Sequence, residues 1–476
     1  MRLVMKFGGT SVGNADAVRQ VAAILKKSHD QGHQVVTVVS AMRGVTDQLI
    51  DAARAAATGE TEPPRAARQA LWERHHAVAA ELLQNPYQFV LGDIDAHLAN
   101  FSNLTSAIAV LGELTPRALD FISSLGERFS ALILAALLRE IGLSSVAVMA
   151  DRLIVTDRHF GSANPLLDLT AERAQAGLLP MLEAGALPVV TGFLGATLDG
   201  IVTTLGRGGS DYTGAILGAA LNADEVWIWT DVDGVLTADP RIVPEACSLR
   251  QISYLEAAEL SYFGARVLHP KTVRPAVDRG IPIRILNTFN PDHAGTLIVK
   301  EPQANGHAVK AVTAIRGLAL IAVEGRGMMG VPGVAARVFE TVASLGVSVL
   351  MISQGSSEQS ICFVVEEEAS QAVVEALEGG FRHELTIGAI DRIDRHAQVV
   401  IIAVVGWGMR GTPGISARLF GALGERSINV LSIAQGSSEA NISLVVDHAD
   451  AHEAIQAIHA AFELDRVANS REQIAD

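Results

Sequence analysis

The sequence predicts a layered α/β domain built on a mainly parallel sheet, followed by two copies of a smaller βαββα unit. Three observations carry that prediction. From Met1 to about Lys300, short β-branched runs alternate with long helical stretches, the pattern of a sheet with helices on both faces. A polar stretch rich in turn formers, "KEPQANGHAVK" (Lys300–Lys310), then interrupts the alternation. Beyond it, residues 321–365 return as residues 402–446 without a gap, about half of them identical, with Gln354 and Gln435 setting an offset of 81 positions.

In chain order, "RLVMKFGG", "QVVTVVSA", "ALPVVTGF", "EVWIWTDVDGV" and "IPIRILN" read as buried strands of the parallel sheet. Ala15–Gln31, Ala118–Ile141 and Asp211–Leu221 read as helices between them. Ligands of such sheets sit beyond the carboxyl ends of the strands. Each repeat reads strand, glycine turn, helix (Gly333–Leu345; Gly414–Arg426), strand, "QGSSE" turn, strand, helix. After its second helix the first copy offers a closing strand, "ELTIGAIDRI", whereas the second ends in "FELDRVANSREQIAD", too polar to make one. The unassigned strand "VKAVTAI" (Val309–Ile315) is therefore expected to close the second copy's sheet, so that the first copy is inserted within the second. The domains expected are 1–300, 317–394 and 397–476, the last completed by 309–315. The charge run "VVEEEAS" (Val364–Ser370) reads as solvated.

The 476 residues suffice for two or three domains, since single cores stop growing near ~250–300 residues. A net charge of −15 excludes a phosphate-neutralising nucleic-acid surface, so anionic substrates must be gathered by local groups. The only two cysteines, Cys247 and Cys362, lie far apart with no metal-ligand spacing, which argues against a disulfide scaffold. The segment before Lys6 is too short for a signal peptide. The apolar run "ALILAALL" (Ala131–Leu138) is shorter than the ~18 residues that span a bilayer. A soluble cytoplasmic protein, bound to neither membrane nor nucleic acid, is expected.

Three strand-end loops carry candidate chemistry. "VMKFGGTSVGNADAV" (Val4–Val18) is a strand, a Gly-Gly turn and a helix start near Asn14 or Asp16. Such glycines admit backbone N–H groups close to phosphate oxygens, and the lysine before them supplies a point charge. It lacks the Walker A spacing, and its glycines alone also fit a plain strand-to-helix turn. "LGRGGSDYTGA" (Leu205–Ala215) adds Arg207, able to grip a carboxylate or phosphate with two bonds, and Asp211 at a helix start. "WTDVDGV" (Trp229–Val235) places Thr230 and Asp231 at the end of a third strand, with Asp233 and Gly234 also fitting a simple turn.

Together "KFGGTSV", "GRGGSDYT", "WTDVDGV", "DPR" and "FGARVLHP" resemble the aspartate kinases of the amino-acid kinase family, and the repeats resemble that family's tandem ACT domains. The resemblance covers nearly the whole chain. It implies a three-layer amino-acid kinase domain followed by two βαββαβ ACT-type domains, joined into a homodimer through the ACT pairs. It implies ATP with Mg²⁺, L-aspartate as acceptor and 4-phospho-L-aspartate as product, at the entry to lysine, threonine and methionine biosynthesis. Lys6, Gly8, Gly9 and Thr10 match the ATP-phosphate loop, and Ser40 faces the same cleft. Thr230, Asp231 and Arg241 match further ATP-binding positions. Thr46, Glu127, Arg207, Gly208, Gly209 and Ser210 match positions that hold L-aspartate. Lys6 and Asp211 are the catalytic pair, Asp211 orienting Lys6 or a Mg²⁺-bound water; no dedicated protein metal site is expected. Arg266 stands where many relatives carry lysine, which trades a point charge for a planar fork, and Leu236 where some carry a tyrosine. Taken singly, Glu127 also fits an ordinary helix charge and Thr46 a helix cap; His269 receives no role.

The repeats also pose a question of their own. "VEGRGMMGVPG" and "VVGWGMRGTPG" both show the G-x-G-x-x-G spacing of a dinucleotide-binding fingerprint. The fingerprint's acid at the end of the next strand is missing, however: Gln354 and Gln435 occupy those strand ends, and Pro332 and Pro413 stand where its helix should already run. The turns are instead expected to hold a regulatory amino acid, contacted by Met329, Gly330, Val331, Pro332, Gln354 and Gln435. "MISQGSSEQSICF" is more similar to threonine-responsive than to lysine-responsive relatives, which puts threonine first and lysine second. The competing readings are another amino-acid kinase, acting on glutamate or N-acetylglutamate, and a non-catalytic amino-acid sensor, against which the intact Lys6, Arg207 and Asp211 argue. A third, the kinase half of a kinase and homoserine dehydrogenase, is disfavoured by the short stretch after the last "SLVV" strand.

Overall fold

The computed structural model describes residues 1–85, 90–264, 268, 270–302, 307–355, 359–436 and 440–467. Arg266, His269 and the serines of both "QGSSE" turns lie outside the described residues. The chain forms two compact units.

The first unit comprises residues 1–235, 250–254 and the described part of 268–302. Its strands are β1 (Arg2–Phe7), β2 (Gln34–Val39), β3 (Ser145–Val148), β4 (Leu187–Thr191), a small hairpin of β5 (Leu194–Ala196) and β6 (Val202–Thr204), then β7 (Glu225–Thr230), β8 (Gln251–Ser253), β9 (Ile283–Asn287) and β10 (Thr296–Val299). The main sheet runs β3-β4-β2-β1-β7-β9-β10-β8, parallel except where β10 meets β9. The central strand β1 is buried from Leu3 to Phe7, as its continuous apolar run requires of a strand covered on both faces. The chain passes from β1 to one side of it through β2, and to the other side through β7. That reversal opens a crevice at the carboxyl ends of β1, β2 and β7.

Helices are punctuated where the sequence signals it. Asn14 caps the helix Ala15–Asp30, its Oδ1 accepting from Ala17 N at 2.9 Å, and Thr115 caps Pro116–Ser123 in the same way. The helix expected from Asp211 begins two residues earlier, at Gly209, because Gly208 takes the left-handed conformation that caps it. The apolar stretch Pro116–Glu140 is long and apolar enough to cross a membrane by composition, longer than the run "ALILAALL" suggested. It folds as two successive helices buried in the core, with Leu125, Phe129, Ile133, Leu134 and Leu138 almost wholly enclosed.

The second unit contains residues 236–249 and 255–264 together with 307–467, each as far as described. Its six-stranded sheet is antiparallel throughout: β11 (Ala311–Glu324), β12 (Met351–Gln354), β13 (Ser360–Glu366), β14 (Arg392–Val405), β15 (Ser432–Gln435) and β16 (Asn441–Asp447), in the order β12-β13-β11-β14-β16-β15. The repeat is exact in register. Leu318 faces Glu366 as Val399 faces Asp447, and Gln354 faces Ile361 as Gln435 faces Ile442. The two long strands serve both copies: Ala311–Ile315 of β11 pairs with Ile401–Val405, and Arg392–His396 of β14 pairs with Leu320–Glu324, across a register shift near Leu318.

Two sequence expectations need correction here. "ELTIGAIDRI" is not one strand: Arg382–Thr386 is a short helix, a turn follows at Gly388 in the left-handed conformation, and β14 starts only at Arg392. Phe381, 1% exposed, anchors that helix in the core, and Glu384 pairs with Arg337. In "VVEEEAS" the charges are solvated as expected, with Glu366 and Glu368 exposed and Glu367 half-buried, but the ends of the run are not. Val364 and Val365 are buried in β13 and Ser370 is buried in the next helix, with Glu367 and Glu368 in its first turn, where carboxylates complement the helix dipole.

Candidate active site and regulatory pockets

β1 delivers Lys6 to the crevice, 8% exposed, and the helix Gly209–Ala220 delivers Asp211. Lys6 Nζ lies 2.6 Å from Asp211 Oδ1. The helix can lie this close to the sheet because Gly218 faces it: a Cβ there would sit 2.5 Å from Val226 Cγ2. The turn after β1 is drawn tight by Gly8 N–H donating to Trp229 O at 3.2 Å and by Arg43 N–H donating to Gly9 O at 3.1 Å. A Cβ on Gly9 would be 2.8 Å from Ala41 O, so only glycine lets these two loops meet. Thr10 and Ser40 are half-buried beside it, Ser40 N–H donating to Phe7 O. Thr230 closes β7, its hydroxyl donating to Asp231, which is exposed.

Glu127 lies in the first turn of the helix Leu125–Glu140 and is 4% exposed. Its Oε1 accepts from Ala41 N–H at 3.2 Å, while Oε2 is buried with no hydrogen-bond partner among the described residues. Burial pushes its carboxyl up to about 8, against the lowering effect of the Ala41 bond and the neighbouring Arg128. A buried carboxylate oxygen without a donor is costly, and an incoming ammonium would satisfy it. Gly126 lets this helix approach the loop after β2; a Cβ there would be 2.6 Å from Ala41 Cβ. Thr46 is half-buried in the first turn of the helix Val45–Ala57, which Gly44 rather than a threonine caps.

Arg207 is exposed between Gly206 and Gly208, both in the left-handed conformation. The loop ends in Gly209 and Ser210, where the helix begins; Gly209 N–H is turned back onto Gly206 O at 2.9 Å, and the helix N-terminus beyond it favours an anion. Gly209 packs under Phe193: a Cβ would be 2.7 Å from its ring. Phe193 itself has φ 70°, a costly conformation for a residue with a side chain, held by its N–H donating to Thr213 Oγ1 and its carbonyl accepting from Leu205 N–H.

Sequence reasoning missed Asp120. Its buried carboxylate accepts from Gly161 N–H (3.0 Å), Thr204 N–H (2.9 Å) and Thr204 Oγ1 (2.8 Å). Burial raises its pKa in spite of those bonds. Asp120 thus ties the helix that precedes Glu127 to the strand that precedes Arg207, fixing the span between a cation acceptor and an anion clamp. A lone acid within the apolar "RALDFISS" was the available signal. Arg128 and Asp151, a half-buried pair at 2.5 Å, stiffen the same region.

Arg241 belongs to the second unit, where its guanidinium is engaged with Asp239 at 2.6 Å.

In the second unit each glycine turn lines a cavity. The first, about 280 Å³, is bounded by Met328, Gly330, Val331, Pro332, Gly333, Gln354 and neighbours; the second, about 490 Å³, by the residues 81 positions on, among them Met409, Gly411, Thr412, Pro413, Gly414, Gln435 and Ile442. Thr412 and Ser416 give the second two hydroxyls where the first has Val331 and Ala335. Met329 points away, 55% exposed, because the single helical turn Arg326–Met328 buries Met328 instead. The first two glycines of each turn do not face a nucleotide. A Cβ on Gly325 would lie 2.5 Å from Ala389 O, and one on Gly406 2.2 Å from Ala308 O. They exist so that the segment leading into β14 or β11 can cross the turn.

Comparison with known proteins places these features. Residues 1–287 match the model of the amino acid kinase family, and residues 321–381 and 402–462 each match that of the ACT domain. The chain is 40% identical, over 97% of its length, to bifunctional aspartokinase/homoserine dehydrogenase 2, chloroplastic, of Arabidopsis thaliana, but spans about half (51%) of that relative. It is 35% identical to aspartokinase 3, chloroplastic, of the same plant, covering 96% of this chain and 81% of the other. The fold is similar to crystal structures of E. coli aspartokinase III at 31% identity, covering 97% and 99% of the two chains, with TM-score 0.77 for its complex with aspartate and ADP and 0.79 for its complex with lysine and aspartate.

Proposed function

The chain belongs to the aspartokinases of the amino acid kinase family, and on that premise we propose that it transfers the γ-phosphoryl group of ATP to the side-chain carboxylate of L-aspartate. The observation that carries the reading is the orphaned Oε2 of buried Glu127, which suits a substrate ammonium, tied through Asp120 to the loop of Arg207, which suits the α-carboxylate.

A carboxylate oxygen of aspartate attacks the γ-phosphorus, the bond to the β,γ-bridging oxygen breaks, and ADP leaves with that electron pair. The nucleophile is already ionised, so no general base is needed, and catalysis reduces to alignment and charge neutralisation. Lys6, oriented by Asp211, sits beside the Gly8-Gly9 turn to neutralise phosphate charge as it shifts towards ADP. Asp231, exposed at the end of β7, is a hard oxygen donor suited to the Mg²⁺ that ATP carries, which would neutralise the phosphates.

We assign the paired cavities of the second unit to a regulatory amino acid, threonine first and lysine second, and the second unit to homodimer formation. Lysine is the ligand bound in one complex of E. coli aspartokinase III. The catalytic assignment is tested by a substrate panel of L-aspartate, L-glutamate and N-acetyl-L-glutamate, with ATP and Mg²⁺ and hydroxylamine trapping of the acyl phosphate. Product from aspartate alone is expected; product from either of the others, without aspartate turnover, would refute it.

A further inference from the structure

The two repeats superpose in register, yet their glycine turns are anchored differently. In the first, Asp391 Oδ2 accepts from the backbone N–H of Arg326 at 3.4 Å. The residue 81 positions before Asp391 is Lys310, which cannot accept. In the second repeat the equivalent N–H, of Trp407, instead donates to Glu256 Oε1 at 2.7 Å, and Lys310 Nζ lies 3.3 Å from Glu256 Oε2. Both side chains are enclosed, 5% exposed for Lys310 and 0% for Glu256.

Glu256 comes from outside the repeats, from the helix Tyr254–Tyr262. The same helix bonds the sheet of the second unit at two further points. Glu259 Oε2 accepts from Asn441 Nδ2 at 3.1 Å, next to the lining residue Ile442, and Phe263 O, just past the helix, accepts from Thr313 Oγ1 at 3.0 Å. To the first repeat it makes a bond away from the glycine turn, Tyr262 Oη to Leu350 O. At its other end the helix continues directly from β8, a strand of the parallel sheet. Burying two charges costs several kcal/mol per ion before their attraction repays it, although an aspartate at position 310 would have served the turn as Asp391 does.

We infer that Glu256 and Lys310 form a clasp that makes the helix Tyr254–Tyr262 a route by which occupancy of the second cavity reaches the phosphoryl-transfer half. This rests on the reading that the cavities hold a regulatory amino acid. Ligand seating against Gly411–Gly414 moves or stiffens the turn, and the charge-assisted bonds carry that change into the helix.

The test uses the full chain with Glu256→Gln and Lys310→Met together, which removes this ion pair. Glu256→Gln alone, isosteric and still able to accept from Trp407, serves if the double variant does not fold. Amide exchange is expected to quicken at 406–414 and 254–262 together by about tenfold while 325–333 is unchanged. Half-inhibition by L-threonine or L-lysine is expected to need about tenfold more amino acid, with uninhibited turnover unaltered and calorimetric binding retained. Unchanged exchange at 406–414, or an unchanged inhibition curve, overturns the clasp. If the wild type binds and responds to neither amino acid, the regulatory reading fails instead, while the exchange measurement still decides whether the clasp holds the turn.

Discussion

Glu127 shows how burial can prepare a residue for one partner. Its folded-state pKa of about 8 stands above its ordinary 4.5, so between those values the folded protein holds a proton that the unfolded chain has released. Glu127 therefore contributes stability that is fully present below about pH 4.5 and is lost as the pH rises through about 8. An ammonium at Oε2 favours the ionised form, so aspartate binding below that pH must expel the proton. The KM for aspartate is predicted to fall as pH rises from 6 towards 8, by at most about tenfold per unit, and the melting temperature of the ligand-free protein to decline over the same range. Glu127→Gln should raise KM and flatten both profiles; a slope that survives in the variant would contradict the assignment. Lys6 works on the other substrate. Lys6→Ala is predicted to lower turnover by about 10²–10³-fold, with amino-acid binding at the second unit preserved; near-normal turnover would remove Lys6 from the mechanism. Lys6, the Gly8-Gly9 turn, Arg207 and Asp211 were legible in the sequence because each breaks a strand-to-helix turn with a charge or a paired glycine. Asp120 and Phe193 were not, because their importance lies in what crosses them: two backbone N–H groups from distant segments in one case, a glycine under a strained residue in the other.

At the scale of elements, the glycine turns carry the clearest lesson. Their G-x-G-x-x-G spacing was plain in the sequence, as was the reason to reject a dinucleotide, but the reason for the glycines was not. Gly325 and Gly406 are required by backbone packing against Ala389 and Ala308, partners that no local pattern announces. Gly406→Ala would force its Cβ into Ala308 O at 2.2 Å, and a clash against backbone cannot be relieved by a side-chain rotation. A loss of about 1–3 kcal/mol is expected, read as a lower denaturation midpoint together with loss of any amino-acid-induced rise in melting temperature. If the variant melts as the wild type does, the crossing segment at Ala308 is not what fixes the turn. The long strands β11 and β14 were also illegible as such. Each reads as two short strands with a break, since Arg316 and Gly317 interrupt the apolar alternation of β11, yet the sheet runs through the break with a register shift.

At the scale of the molecule, alternation of strand and helix revealed the parallel-sheet half, and the offset of 81 revealed the duplicated half. What the chain order concealed is that 236–249 and 255–264 fold with the second unit although they precede the linker; polar anchors such as Glu256 hold them there alongside buried Leu249, Leu260 and Phe263. We propose that the cavities on a separate unit let an amino acid restrain the kinase, a feedback arrangement. It is tested most directly by following ATP- and Mg²⁺-dependent formation of aspartyl hydroxamate while L-threonine and L-lysine are titrated singly and together. The account predicts product from L-aspartate, suppressed by threonine at lower concentration than by lysine. Absence of product, or a rate and a melting temperature that neither amino acid changes at saturation, would contradict it.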